Sequence, residues 1–351
     1  VIVFLPEYPV LLKKNLMIKF LFIGNFLSEQ TGTCSISEKI SRRLHQQNVK
    51  IILISRRKNQ LTRITEIILH CILDKYKIMH IDTFSGHAFW IAEVATFIGK
   101  MRKKRIIMTL RGGRLPEFFQ SNPQRTKKVL HRATYLQTPS MYLKDFFANH
   151  GIQLDYLPNS IDLTAFPYSR EKIKTHSILW VRAFTEIYNP ELAIKTFYEV
   201  RKIFHDATLT LVGPDKGLLM KTKKLISYMG LDSFVIITGP VPNDQLYKYY
   251  HSHEVFLNTT SYESFGVAVL EAAACGIPIV SSKVGELPYL WEHEKDILFV
   301  EKMEPNKFAE QIAKLFTSKQ LAVTLSKNAR LKAENFAWEK IKDKWIKLLS
   351  A

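Results

Sequence analysis

Short apolar runs recur along the whole chain, and most of them lead into longer stretches whose apolar residues return at every third or fourth position. The runs read as strands and the stretches between them as helices. In the first half the strands fall at "IKFLFIG" (18–24), "VKIILIS" (49–55), "IMHIDTF" (78–84) and "RIIMTLRGG" (105–113). A break follows near "GIQLDYLPNSIDLTAFP" (151–167), and the alternation then restarts. Its strands are "SILWVRAF" (177–184), "TLTLVGPD" (208–215), "FVIITGPV" (234–241), "EVFLNTT" (254–260), "IPIVSS" (277–282) and "ILFV" (297–300). Each strand except the last is expected to lead into a helix. Such alternation points to parallel sheets covered on both faces. Two blocks joined by a Pro-containing linker make an α/β protein of two doubly wound, Rossmann-like domains facing one another. The final stretch, "AWEKIKDKWIKLLS" (337–350), sets Trp338, Ile341, Trp345 and Leu348 on one stripe of an amphipathic helix.

The domains expected are residues 17–155 and 156–335, with residues 336–351 as a helix packing back toward the first domain. Residues 1–16 precede Met17, a plausible start, and read as a non-native or disordered extension. The 351 residues are 46% hydrophobic, ample for two cores, and no run reaches the ~18 apolar residues of a membrane span. Cys34, Cys71 and Cys275 are odd in number and widely spaced, which suggests a reducing compartment and a cytoplasmic protein. Charge is uneven: residues 1–150 hold 25 Lys/Arg against 9 Asp/Glu, and residues 151–351 hold 25 against 23. A basic first half beside a near-neutral second half suggests that one domain meets an anionic surface. Anionic lipid, a diphosphate-bearing acceptor and nucleic acid are the candidates, but no recognition motif supports nucleic acid. The run "KMRKKR" (100–105) is either a solvated face or a contact for anionic headgroups at the inner membrane.

Candidate chemistry centres on "SYESFGVAVLEAAACGIP" (261–278), where Glu263 and Glu271 stand eight positions apart across a helix start. In open α/β sheets ligands bind at the carboxyl ends of strands, where unpaired helix amides attract anions. Gly266 would let a phosphate approach the backbone. Counted from that loop, Glu271 is about seven residues into the helix, roughly 10 Å along its axis. That is about the span from a hexose across a diphosphate to a ribose, so the pair suits a nucleotide-sugar. A helix-start glutamate and a solvent-facing glutamate would give the same spacing. The pairs His80/His87 and His251/His253 lack further ligands at metal spacing, and no metal or other cofactor is expected. There is no G-x-S-x-G, Walker A, G-x-G-x-x-G or D-x-D.

"YESFGVAVLEAAACGIPIVSSKVGELPYL" resembles the E-x7-E signature of the family-4 retaining glycosyltransferases (glycosyl transferases group 1), which have the GT-B architecture of two Rossmann-like domains across a cleft. "LPNSID" (157–162), "ILWVRAF...YNPELAIKTF" and "LVGPDKG" extend the resemblance, and "FLFIGNF...TG" and "IIMTLRGG" carry it more loosely into the first half. The resemblance implies that Glu271 holds the donor ribose and Glu263 the hexose. Arg182 would take the diphosphate, and the backbone of Ser264, Phe265, Gly266 and Val267 the sugar and diphosphate. Gly32 and Asn159 would join the donor site, and Gly112 and Gly113 the acceptor side of the cleft; His87, at a strand end of the first domain, either faces that cleft or is a surface or core histidine. Three positions depart from the family pattern: Val181 replaces a glycine, Tyr188 a second phosphate-binding lysine, and Arg111 a histidine near the reacting centre. Arg111 becomes a candidate catalytic cation. The implied reaction is metal-independent front-face transfer with retention, in which Glu263 stabilises an oxocarbenium-like sugar. Its partners would be a nucleotide-sugar and a glycan or lipid-linked acceptor of surface polysaccharide synthesis, at the inner face of an anionic membrane. A degenerate nucleotide-sugar-binding protein, or a nucleotide-sugar epimerase or hydrolase, remains the alternative.

Overall fold

The computed structural model describes residues 19–28, 34–47, 49–57, 59–171 and 173–350. The expected extension at 1–16 and the candidate Gly32 lie outside them. The first sheet is built from β1 (Lys19–Ile23), β2 (Lys50–Ile54), β3 (Ile78–Thr83), β4 (Arg105–Leu110), β5 (Tyr135–Thr138) and β6 (Asp155–Tyr156), in the order β2-β1-β3-β4-β5-β6. The second contains β7 (Ser177–Val181), β8 (Thr208–Val212), β9 (Val235–Gly239), β10 (Val255–Asn258), β11 (Ile279–Ser282) and β12 (Leu298–Val300), in the order β12-β11-β10-β7-β8-β9. Every pairing is parallel. Both sheets double back from a central strand, which puts helices on both faces and opens a crevice at the carboxyl ends.

The two-residue period of the strands divides each core in two. Phe20 and Phe22 of β1 face one buried cluster while Leu21 and Ile23 face another. In the second sheet Leu179 and Phe256 point one way, and Ile178, Trp180 and Leu257 the other. Two strands escaped the sequence pattern: β5, with its sequence Tyr-Leu-Gln-Thr, and β6, a two-residue edge strand within the apparent linker. Too few residues alternate in either to register a period. The last strand, read as leading nowhere, does lead into a helix, Pro305–Thr317.

Helix Ile36–Gln46 starts on a capping box: the Glu38 amide donates to Ser35 Oγ at 3.2 Å, and the Ser35 amide to Glu38 Oε2 at 2.7 Å. Helix Trp338–Ser350 buries Trp338, Ile341, Trp345 and Leu348 against Phe20, Phe22 and Ile107 of the first sheet. Its entry is fixed by the linker, with Ile161 N donating to Phe336 O at 2.8 Å and Trp338 N to Ile161 O at 3.2 Å. The two crossings between domains therefore lie side by side. Among the described residues no helix is long and apolar enough to cross a membrane.

Candidate functional site

β7 and β10 are neighbours in the second sheet, so the residues just beyond them emerge together. Arg182 follows β7, and its Nε and Nη2 both donate to Asn258 Oδ1, at 3.1 and 2.9 Å. Nη2 also donates to Glu263 Oε2 at 2.7 Å, an ion pair with both side chains under a tenth exposed. Asn258 Nδ2 donates in turn to Ser281 Oγ at 2.9 Å, linking the ends of three adjacent strands. Tyr188 packs its ring under the Arg182 guanidinium, 4.9 Å from the centroid. Burial pulls the Arg182 pKa down, but Glu263 and the neighbouring phenols and carboxylate outweigh it and leave it raised. Val181, the glycine departure, is a half-buried side chain packed against the core.

The Glu263 loop is held from behind. Gly285 has φ +55°, and a Cβ there would stand 2.0 Å from Glu263 O, so only glycine permits the contact. Gly266 has φ +92° and caps helix Val267–Cys275. The first intrahelical bond runs from Leu270 N to Gly266 O at 2.9 Å, which leaves the amides of Val267, Ala268 and Val269 to point out of the helix end. Phe265 is buried in the core, and Ser264 is half-buried beside it. Because the helix starts at Val267, Glu271 is its fifth residue and rises only about 6 Å from the start. The loop makes up the rest of the Glu263–Glu271 separation, correcting the seven-residue reading.

Glu271 is buried against the opposite domain. Lys39 Nζ donates to its Oε1 at 3.0 Å, and Tyr250 Oη to its Oε2 at 3.4 Å. Burial raises the Tyr250 pKa, with the Glu271 charge adding to the effect, so the phenol stays a donor. A cavity of about 620 Å³ opens here, lined by Glu271, Val267, Lys39, Arg42, Arg43 and Asn159 among others. Arg43 is ion-paired with Asp162 of the linker.

Arg111 follows β4 but is not a free cation. Its Nε donates to Asp82 Oδ1 at 2.6 Å and its Nη1 to Asn159 Oδ1 at 2.6 Å, and Asp82 also accepts from Ser37 Oγ. The Gly112–Gly113 pair, read as room for a ligand, is filled by protein. A Cβ on Gly112 would meet Ser85 N at 2.8 Å, and one on Gly113 the Tyr262 ring at 2.4 Å. His87 is exposed on the 3-10 turn Gly86–Ala88 after β3. Glu286, fully buried, accepts from Ser140 Oγ at 2.7 Å and Tyr142 N at 2.9 Å across the domain boundary. Burial raises its pKa against the opposing pull of those donors.

The structure thus groups Arg182, Glu263 and Gly266 at one sheet end, brings Glu271 to the cavity, and bonds Arg111 to Asn159, which lines the same cavity. Sequence reasoning missed Lys39, Asn258, Tyr250 and Glu286. Lys39 stands one residue past the capping glutamate on a basic helix, and no local signal distinguishes it from a surface lysine.

Residues 166–332 match the family model described as glycosyl transferases group 1. A D-inositol 3-phosphate glycosyltransferase of Pseudarthrobacter chlorophenolicus is 24% identical over 241 residues, 63% of this chain and 57% of that protein. Its counterpart from Arthrobacter sp. strain FB24 is 28% identical over 200 residues, 53% of this chain and 47% of that protein. The chain spans about half the length of the curated relatives it matches. The crystal structure of Anabaena HepE in complex with UDP and glucose superposes with a TM-score of 0.76 at 16% identity, covering 95% of this chain and 99% of that one. Sucrose-phosphate synthase from Thermosynechococcus elongatus gives 0.76 at 17%, covering 94% and 98%. At these identities the likeness is one of fold.

Proposed function

We propose that this chain, whose second domain is a glycosyl transferases group 1 domain within a GT-B fold, moves a hexose from a nucleotide-sugar to a glycan or lipid-linked acceptor of surface polysaccharide synthesis. One observation carries the reading. Glu263 and Glu271 flank the outward amides of helix Val267–Cys275, with Arg182 against the first carboxylate and the cavity against the second. An anion at those amides gains fixed donors and the positive helix end.

In this reading Glu271 accepts hydrogen bonds from the ribose hydroxyls, and Lys39 adds a cation from the opposite domain. The diphosphate takes the amides and Arg182. Arg182 Nε and Nη2 are already bonded, so Nη1 is the donor left for a phosphate oxygen. A diphosphate supplies the counter-charge that Glu263 provides without it, which frees that carboxylate for the hexose. Glu263 then stabilises positive charge on the sugar as the bond to diphosphate lengthens, an effect that belongs to the transition state. The leaving oxygen takes the acceptor proton on the same face, so configuration is retained. With no D-x-D triplet in the chain, the amides and Arg182 are assigned the role a chelated metal would otherwise play. Arg111, held by Asp82 and Asn159 through Nε and Nη1, positions the linker beside the cavity and keeps Nη2 as its donor for a phosphate oxygen.

UDP and UDP-glucose, present in the HepE crystal structures, head the panel of donors to test. Consumption of one nucleotide-sugar, even by slow hydrolysis, with the released sugar retaining its anomeric configuration by NMR, is the expected result. An inverted product overturns retention, and no consumption of any donor overturns transfer. Donor binding without turnover is the second reading, favoured by Tyr188 at the family's lysine position. A nucleotide diphosphate that raises the melting temperature while single-turnover hydrolysis stays undetectable would decide for it.

A further inference from the structure

The first domain carries a second surface, away from the cleft. Helix Gln60–Leu73 buries Ile67 and Cys71 against its sheet, and helix Phe89–Met101 buries Ala92, Ala95 and Gly99. The opposite stripes of these helices ought to be polar. Instead the first exposes Leu69, Ile72 and Leu73, and the second Phe97 and Met101, with Leu73 at 70% and Met101 at 68% exposure. Each set follows i, i+3 or i+4 spacing, so each is a single stripe. The two stripes are joined at their ends: Arg102 Nη1 donates to Cys71 O at 2.6 Å and to Asp74 O at 3.1 Å.

Cations stand at the same ends of both helices. Lys75, Lys77, Lys100 and Lys103 are all exposed there. Of the nearby carboxylates, Glu93 is paired with Arg125 at 2.7 Å and Asp74 accepts a hydrogen bond from His70 Nδ1 at 2.8 Å, so both are held within the domain. Arg102 and Lys104 of the basic run are instead turned onto the Tyr76 ring, each 5.2 Å from its centroid. Their bonds serve the fold, so the run's charge alone is a poor account of the surface. Scattered exposed apolar side chains need no explanation, whereas five on two adjoining helix ends that also carry four exposed lysines do.

We infer that these two helix ends dock on an anionic bilayer, with Leu69, Ile72, Leu73, Phe97 and Met101 entering the headgroup boundary and the four lysines contacting acidic lipid. Charge chooses the occupant: a second copy of this chain would set lysines against lysines, whereas anionic lipid complements both features at once. Lys77 and Lys103 precede β3 and β4, so the surface lies at the amino ends of the strands, while Asp82 and Arg111 lie at the carboxyl ends. Docking therefore leaves the cleft uncovered. The inference goes beyond the transfer chemistry and does not depend on it.

Vesicle sedimentation of the full chain tests it, with phosphatidylcholine vesicles that either contain or lack about a third phosphatidylglycerol. The double variant Leu73→Ser/Met101→Ser removes apolar surface, and Lys100→Glu/Lys103→Glu reverses charge; neither touches a core residue. Each is expected to lower the partition coefficient on anionic vesicles about tenfold or more, with circular dichroism and melting temperature unchanged. The charge variant should also flatten the salt dependence. Equal binding to both vesicle types, or binding indifferent to both double variants, overturns the proposal. A dimer in sedimentation equilibrium that Leu73→Ser/Met101→Ser dissolves overturns it in favour of a second copy.

Discussion

Replacing Glu263 by glutamine keeps the shape of the side chain and removes one charge from a buried ion pair. In the parent chain its Oε2 stands 2.7 Å from Arg182 Nη2, with side-chain exposures of 9% and 8%. Glutamine still offers an oxygen to Nη2, so the direct loss is the difference between a charge-assisted and a neutral hydrogen bond, about 1–2 kcal/mol. The larger effect is the buried guanidinium left without a counter-charge. Losing one partner outright costs about 3–5 kcal/mol. The Asn258 oxygen and the Tyr188 ring remain on Arg182, which places the expected cost at about 2–4 kcal/mol. For a domain of this size that lowers the melting temperature by about 5–10 °C. A diphosphate restores the missing charge, so saturating UDP should raise the melting temperature more in Glu263→Gln than in the parent. Nucleotide-diphosphate affinity should be unchanged or tighter, whereas turnover should fall by about 100-fold, equivalent to about 2.7 kcal/mol of transition-state stabilisation. The assays are thermal melts with and without UDP, calorimetric titration, and donor hydrolysis. A variant that melts with the parent and turns over at near-parent rate would refute the reasoning and leave Glu263 as an ordinary helix-start glutamate.

Glu271→Ala should weaken nucleotide-diphosphate binding by roughly 1–3 kcal/mol in calorimetry, and unchanged affinity would remove it from the ribose role. Lys39→Ala should weaken the same binding less and reduce its salt dependence; an unaffected titration would make the Lys39–Glu271 contact purely structural. Gly285→Ala must force a Cβ toward Glu263 O from a left-handed φ, so it should cost at least about 1–2 kcal/mol and lower turnover, and parent-like melting and turnover would contradict the backbone account. His80 and His253 are buried and held neutral, with pKa values lowered by burial to about 4. In the unfolded chain they titrate near 6.5, so the stability they contribute is present above that pH and lost as pH falls toward 4, at about 1.4 kcal/mol per unit for each. His253→Gln should flatten the fall in melting temperature between pH 7 and 4.5, and an unchanged slope would show that His253 titrates normally.

The residues of the site were legible to different depths for identifiable reasons. Glu263, Gly266 and Glu271 share one short loop and helix, so their spacing is local and could be read directly. The capping box at Ser35 and Glu38 is similarly local. Arg111 was legible as a departure, but its partner Asp82 lies 29 residues earlier on the preceding strand, and only the tertiary structure shows that a buried carboxylate balances its charge. Gly112 and Gly113 read as room for a ligand because a glycine pair signals close approach without saying of what; the approaching groups are Ser85 and Tyr262. Glu271 sits fewer residues into helix Val267–Cys275 than the sequence count suggested because Gly266 adopts a left-handed cap, a conformation that glycine permits but does not announce.

By itself the sequence determined the alternation of strand and helix, the parallel character of both sheets, the stripe on the final helix and the loop that carries two glutamates. Each of these is a local period or a local spacing, set by side-chain direction along one element. Strand order is different, because an apolar run is compatible with any neighbour. Only the tertiary structure put β10 beside β7, bringing Asn258 and Glu263 to Arg182 across 76 and 81 residues. It also carried Lys39 to Glu271 across 232 residues and seated the final helix on the first sheet. The pairing of buried charges depends on which surfaces exclude water together, and that is decided only when both sheets and the second crossing of the chain are in place.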